Sequence, residues 1–397
     1  TILIDAFKIH PGYEVFISGL AVGKFSFSNF VFLFTGTLRK TIFWKPFLNT
    51  MELSLLSYLI ALLLDGTVAY LITRSNLKFK KYISAVFIFP YIMPQWTLAM
   101  VWRNVFNSAA ITGGSDGLLA ATLGIHMPEW WCTGLFPSAI VMGIHYAPFA
   151  YILIGAIFRN MDANLEEAAT ILNTPRWKIF TRVTIPMVKP AILSTILLVF
   201  SGAMGSYPVP HYLKLATLST KYVEMKANLQ GATSIISIVM MLIGVGILML
   251  NQATTSGRKQ YTTVTGKSGQ ASVVDLGKVG KYVIGILLIV ITFFISIFPL
   301  ISFAIETFLP NPGDYSAFTL KWWVTDNAGG ENGMYGNLGL LYNKEIWSAF
   351  GRTLYIAVAC ALLAGTIGFL TGYSVSKNRK GKWAAYVNGI AFLPYLL

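Results

Sequence analysis

The sequence predicts an all-α polytopic membrane protein. Three observations carry this. Hydrophobic residues make up 55% of the 397 and charged residues only 12%, where soluble domains carry about a quarter charged. Apolar runs recur along the chain at about the 20 residues that cross a hydrocarbon core as a helix. Basic residues gather in short segments that alternate with poorly charged ones, as expected when positive loops stay on the inner side. The formal net charge of +14 is therefore read against anionic lipid. Nucleic acid is not an expected partner, since no base-stacking or helix-turn-helix pattern accompanies the charge.

Residues 1–46 hold aromatics but no span-length run and are expected to form an external segment. Met51–Thr73 is the first span. Arg74, Lys78, Lys80 and Lys81 follow without an acid, so this loop is expected to be cytoplasmic. Tyr82–Val101 is the second span, interrupted at Pro90 and Pro94, as is tolerated where neighbours take up the freed carbonyls. Residues 103–133 carry little charge and are expected outside. Leu135–Phe158 is the third span. Residues 159–189 are polar and basic and belong inside. Ala191–Met204 begins the fourth span, which runs into Gly205-Ser-Tyr-Pro-Val-Pro210. Ser234–Leu250 is the fifth.

Residues 252–280 are rich in Ser, Thr and Gly, with Arg258, Lys259, Lys267 and Lys278 against Asp275. They read as a flexible cytoplasmic linker. Tyr282–Ile305 is the sixth span, residues 306–349 an external segment, and Thr353–Val375 the seventh span. After Lys377, Arg379, Lys380 and Lys382, Ala384–Leu397 begins an eighth. The chain starts at Thr1 without a signal peptide and stops inside an apolar stretch, so a fragment is expected.

The end of the chain repeats its beginning. Phe47, Thr50, Ala61 and Tyr70 match Phe350, Thr353, Ala364 and Tyr373 at one spacing. After a one-residue slip, Tyr82, Pro90 and Tyr91 match Tyr386, Pro394 and Tyr395. Phe318-Thr-Leu-Lys-Trp-Trp-Val also resembles Phe25-Ser-Phe-Ser-Asn-Phe-Val. Each copy starts with the same sidedness, so the repeats are parallel. The expected division is an external segment at 1–46, a first transmembrane domain at 47–252, and a linker at 253–280. The second copy's leading helix and external segment occupy 281–349, and its start occupies 350–397. The first copy's leading helix and most of the second copy are missing from this pattern.

Chemistry-bearing clusters are few. Cys132 and Cys360 have no metal-ligand spacing, and His10, His126, His145 and His211 are scattered, so no metal site and no catalytic set is expected. Gly266-Lys267-Ser268 matches the end of a phosphate-binding loop, but Tyr261 stands where the pattern needs its first Gly. In the spans, Asp65 is costly if it faces lipid and is expected to face the bundle or an interface. Asp65 and His145 are pathway candidates, or packed polar groups. Gly205 and Pro208 either unwind the fourth span near a pathway or mark its external end.

The informative segment is 164–190. Asn164 can cap a helix, with Glu167 completing a capping box, and Glu166 and Glu167 suit its positive end. Ala168, Ala169, Ile171 and Leu172 extend it. Asn173 suits the left-handed residue that closes a helix. Thr174 and Pro175 start a second helix, which carries Arg176, Lys178 and Arg182. Pro186 is expected to break it, and Pro190 to start the next span. The residues allow an ordinary amphipathic loop on lipid headgroups as well as a docking element.

Glu167-Ala168-Ala169, three residues, Asn173, nine residues, Val183, one residue, Ile185-Pro186 resembles the EAA loop of ABC importer permeases. Asn173 replaces the family's Gly, Val183 its Ile and Ile185 its Leu. The resemblance implies a type I ABC importer transmembrane domain, fused in two tandem copies as in ferric-iron permeases. Phosphonate, polyamine, thiamine and sugar permeases are also related. It implies a bacterial inner-membrane location, a partner ATPase dimer that binds ATP and magnesium, an extracytoplasmic substrate-binding protein, and no cofactor on this chain. Glu166, Glu167, Ala168, Ala169, Asn173, Arg176, Ile185 and Pro186 would form the ATPase-coupling loop. Glu167 would pair with a basic residue, and Arg176, Lys178 and Arg182 would meet either the ATPase rim or lipid phosphates. The chain itself is not expected to be an enzyme. The rival classes are a secondary transporter, which would want a midplane site in an interior that is poor in acids and amides, and a non-transporting scaffold.

Overall fold

Backbone amides in a bilayer must find partners inside their own segment. Among the described residues every regular element is helical, with two isolated β-bridges besides. The computed structural model describes residues 2–161, 164–256, 273–311, 313–326, 338–377, 381, 383–384, 386–387 and 390–391.

Three short helices come first: α1 (Ile2–Phe7), α2 (Tyr13–Ser18) and α3 (Ser28–Thr35). The long α4 (Lys45–Arg74) follows, then α5 (Lys80–Val86), α6 (Phe89–Ile92) and α7 (Gln95–Phe106). Next are α8 (Ala109–Thr112), α9 (Leu118–Leu123), α10 (Glu129–Cys132) and α11 (Leu135–Asn160). The loop helices α12 (Asn164–Ile171) and α13 (Arg176–Ile179) lead to α14 (Ile185–Gly205). The order continues with α15 (Pro208–Tyr212), α16 (Leu218–Met225), α17 (Gln230–Ser256), α18 (Gly280–Thr292), α19 (Phe298–Glu306), α20 (Lys321–Val324) and α21 (Lys344–Lys377).

Among the described residues six helices are long and apolar enough to cross a membrane, and a bent pair makes up to seven. They coincide with the expected spans one to seven. The eighth expected span, Ala384–Leu397, lies largely outside the described residues.

The chain divides into two units, Thr1–Phe303 and Ala304–Leu397. In the first, α4 packs along α11 and α14. Small residues let these helices approach closely. A Cβ on Gly143 of α11 would sit 2.5 Å from Ile60 of α4, and one on Gly202 of α14 would strike the ring of Tyr146. Leu53, Ala61, Met142, Val199 and Ala203 fill one end of this contact, and Val68, Ala69, Tyr151 and Ile154 the other.

The second span is broken where the sequence suggests, but at one proline only. α6 carries Pro90 in its first turn, while Pro94 starts α7 and the axis bends by 98° there. Pro94 has no N–H to return to the Pro90 carbonyl. His145 of α11 fills that role, its Nδ1 lying 2.9 Å from Pro90 O.

Pro186 does not break its helix, contrary to expectation, and Pro190 lies inside α14 instead of starting it. Arg176–Gly205 runs as one apolar helical stretch of 30 residues. A π-helical turn, Phe180–Thr184, precedes Ile185-Pro186, and Ile185 N–H donates to the Phe180 carbonyl five residues back. The same arrangement precedes Pro46 (π turn Lys40–Trp44) and Pro299 (π turn Phe293–Ile297). The proline ring clashes with the carbonyl four residues back in a regular helix. A widened turn relieves that clash and lets the helix continue.

α1 and α3 pack on α17, with Ala6, Leu33, Leu218 and Ile235 buried together. Glu14, 1% exposed, accepts from the His10 and Gly231 amides at 2.8 and 2.5 Å. It thereby satisfies an orphan donor at the start of α17.

The linker is not uniformly loose. Residues 257–272 lie outside the described set, but residues 274–277 are tied to the end of α4. Val274 N–H donates to Arg74 O at 2.8 Å and Asn76 N–H to Val274 O at 3.1 Å. Asn76 Nδ2 and the Gly277 amide both donate to Asp275 Oδ1, at 2.5 and 2.9 Å. These two bonds, the Gly277 amide first, hold the Asp275 carboxyl below the usual carboxylate range. The α18 helix then packs on α5, with Leu288 joining the Ile83–Phe87 cluster.

In the second unit, Trp322 Nε1 donates to Leu309 O at 2.7 Å and Phe308 stacks on Trp323. The α21 helix carries Phe350, Thr353, Ala364 and Tyr373 and buries none of its residues. Its length and residue placement parallel α4, which carries Phe47, Thr50, Ala61 and Tyr70.

Candidate functional site

The expected loop is built as two short helices joined by a tight turn. Ile171 ends α12, Leu172 follows it, and Asn173 takes the left-handed conformation at φ 53°. Thr174 N–H donates to Ala169 O at 3.0 Å, and Asn173 N–H to Thr170 O at 2.9 Å. Those two bonds are the six-to-one and five-to-two pair of a Schellman motif. A short polar side chain tolerates this conformation where most residues do not.

Starts of the two helices differ from expectation by one residue. Asn164 already belongs to α12, and its side chain lies outside the described set. Pro175, not Thr174, holds the cap position of α13, where no side-chain cap forms. The Pro175 carbonyl accepts from Lys178 and Ile179 instead, at 2.8 and 3.1 Å.

Adjacent glutamates have opposite surroundings. Glu166 is sewn into the protein: its Oε2 pairs with Arg74 Nη2, and its Oε1 accepts from Thr184 Oγ1 at 2.8 Å. Arg74, the last residue of α4, has a side chain only 1% exposed, and Glu166 only 13%. Thr184 is buried in the π turn that leads into α14. One carboxylate therefore joins α12 to the ends of two membrane helices. Sequence reasoning grouped Glu166 with Glu167 and missed this role.

Glu167 and Ala168 are exposed. Ile171 and Leu172 are 81% and 78% exposed, large values for such side chains. At i, i+4 spacing Glu167 shares a face with Ile171, and Ala168 with Leu172. Ala169 is half-buried, supplying the carbonyl that Thr174 uses. Trp177 of α13 is 71% exposed, and Ile185 is 37% exposed beside exposed Pro186.

The in-span candidates fall elsewhere. Asp65 is fully buried on α4. His145 holds the break at Pro90. Gly205 ends α14, and Pro208 opens the first turn of α15. Ser206 between them donates to Gln95 Oε1 at 2.7 Å and accepts from Ser219 Oγ at 2.6 Å. These residues mark the end of the fourth span. Asp65, His145 and Gly205 are not brought together with the loop. Among the described residues no group of His, Cys, Asp and Glu could hold a metal.

Residues 63–260, from inside α4 past the end of α17, match the family described as binding-protein-dependent transport system inner membrane component. A ferric transport system permease protein of Actinobacillus pleuropneumoniae is 24% identical over 262 residues, 64% of this chain and 36% of that protein. A protein of Haemophilus influenzae named for the same role is 24% identical over 263 residues, 64% of this chain and 39% of that one. The chain thus spans well under half the length of both. A sulfate transport system permease protein of Escherichia coli is 22% identical over 160 residues, 39% of this chain and 55% of that protein. A chain from a bacterial alginate ABC transporter, solved in complex with an alginate-bound periplasmic protein, aligns with a TM-score of 0.46 and 17% identity. That alignment covers 58% of this chain and 82% of the solved one.

Proposed function

Because the chain belongs to the family of binding-protein-dependent transport system inner membrane components, we propose that it is the permease subunit of an ATP-driven importer, and that a separate ATPase moves it through α12. One observation supports the coupling role above all others. On a single short helix Glu166 is tied inward, while Glu167, Ala168 and Ile171, with Leu172 just after it, are exposed.

In this reading the outward face docks on a cytoplasmic ATPase dimer, which binds ATP and magnesium. Glu167 pairs with a basic residue there, Ala168 permits close approach, and Ile171 and Leu172 supply apolar anchors. The inward face transmits. A displacement of α12 reaches α4 through Arg74 and α14 through Thr184, without slack from flexible side chains. Asn173 keeps the turn rigid, and the π turn before Ile185-Pro186 keeps α13 continuous with α14. An extracytoplasmic binding protein would deliver the substrate to the opposite end. The proposed substrate is ferric iron, after the names of the two ferric relatives; the sulfate permease keeps an oxyanion as the second reading.

The decisive experiment is Glu167→Lys in the intact importer. The variant is expected in the membrane at normal abundance, with uptake lost while the partner continues to hydrolyse ATP. Normal uptake would overturn the docking role. Uptake of labelled iron, compared with sulfate, decides the substrate.

A further inference from the structure

We propose that the groove between α4 and α14, lined at its α13 end by Arg176 and Trp177, is a binding site for an anionic phospholipid of the surrounding bilayer. The groove holds about 620 Å³ and has Ile154 of α11 in its lining. Leu63, Gly66 and Tyr70 form its α4 side. Among the described residues Arg176 is the one charged residue of the lining. An apolar groove with one cation in its described lining has the polarity of one acyl chain under one negative headgroup.

Three further observations favour lipid as the occupant. The groove opens outward, since Leu63 and Trp177 are 70% and 71% exposed. Its charged end lies where tryptophan and basic residues gather in membrane proteins, at the headgroup level. Arg176 also has no ion pair among the described residues. Glu166, an acid of the same loop, is occupied by Arg74 and Thr184. Asp275 feels the Arg176 charge but forms no ion pair with it, its Oδ1 being held by Asn76 and the Gly277 amide. The neighbouring charges on this stretch, Lys178, Arg182 and Lys189, are all basic and exposed. A phosphate diester would neutralise Arg176 and leave the outward face of α12 free.

Gly66 provides the discriminating variant. A Cβ there would meet no atom within 4 Å, so no helix contact requires the glycine. A larger residue would project into the groove and fill it. It would not weaken the helix, because leucine is a better helix former than glycine.

The test uses the full chain in phosphatidylcholine vesicles doped with brominated phosphatidylglycerol or brominated phosphatidylcholine. Trp177 is read as the difference in fluorescence between the native protein and Trp177→Phe. The brominated phosphatidylglycerol is expected to quench Trp177 at about fivefold lower mole fraction than the brominated phosphatidylcholine, the scale of one basic contact to an anionic lipid. Arg176→Gln is expected to remove the preference and keep the quenching. Gly66→Leu is expected to remove quenching by both lipids with an unchanged or higher thermal midpoint. Equal quenching by the two lipids in the native protein overturns the headgroup contact. Unaltered quenching in Gly66→Leu overturns the groove. Absence of any Trp177-dependent quenching overturns the site and assigns this face to a protein neighbour, such as a second permease copy. The readout needs neither the ATPase nor the transported substrate, so its failure is distinct from failure of the transport reading.

Discussion

Arg74 and Glu166, 92 residues apart in sequence, form a buried ion pair that joins the last residue of a membrane helix to the first turn of a loop helix. Thr184 completes the arrangement from the start of the next span. Removing one partner from a buried pair leaves an uncompensated charge, at a cost of about 3–5 kcal/mol. Arg74→Ala and Glu166→Ala are each expected to lower the midpoint of thermal unfolding in detergent. The double variant should be more stable than the sum of the two losses implies. Glu166→Gln should fall between, because it can still accept from Thr184. A double-mutant cycle on the unfolding midpoint measures this directly.

Asn173 sits at φ 53°, a conformation that costs most L-residues roughly 1–2 kcal/mol. Asn173→Gly is expected to be neutral or slightly stabilising. Asn173→Val should be destabilised by about that amount and should reduce uptake, because the Ala169–Thr174 bond would open. Thermal unfolding and uptake of the two variants, compared at equal expression, check both.

His145 supplies the hydrogen bond that Pro94 cannot give to the Pro90 carbonyl. The carbonyl is buried, and leaving such a group unpaired costs about 1–3 kcal/mol. His145→Ala is expected to lose stability in that range. His145→Asn, a shorter donor, should recover part of it. A readout by hydrogen exchange should show faster exchange in α6 and α7, where the bend loosens, and little change in α12.

Asp275 links the linker to the end of α4, and its carboxyl is held below the usual carboxylate range by the Gly277 amide and Asn76. A group with a lowered folded-state value stabilises above its unfolded value, and that contribution disappears as pH falls through the folded one. The loss therefore lies below about pH 3.9, the ordinary value for Asp. Tryptic cleavage after Lys278 in the folded protein is expected to be slow at pH 8, and no loosening is expected on lowering the pH to 5. Asp275→Ala should raise the cleavage rate at pH 8 without lowering the unfolding midpoint of the helices.

The loop was legible because its signals are local. Asn173 and its Schellman bonds need only six consecutive residues, and the spans need only runs of apolar ones. Glu166 was not legible, since its partner lies 92 residues away and nothing local separates it from Glu167. The continuity of the helix through Pro186 was hidden for another reason. A proline signals a break unless the turn before it widens, and the π turn at Phe180–Thr184 leaves no mark in residue type. The packing of residues 2–46 was not legible because short helices there pack by contact with α17, not by their own periodicity. Glu14, an acid among aromatics, was the one available hint.

The packing of α18 against α5 and the pairing of Val274 with Arg74 set a timetable for biosynthesis. The spans α4, α5 to α7, α11, α14 and α17 emerge from the ribosome before the piece that covers Ile83 and Phe87 has been translated. Until then the first unit is a half-finished assembly, with an apolar flank turned toward whatever insertion machinery or chaperone stands beside it.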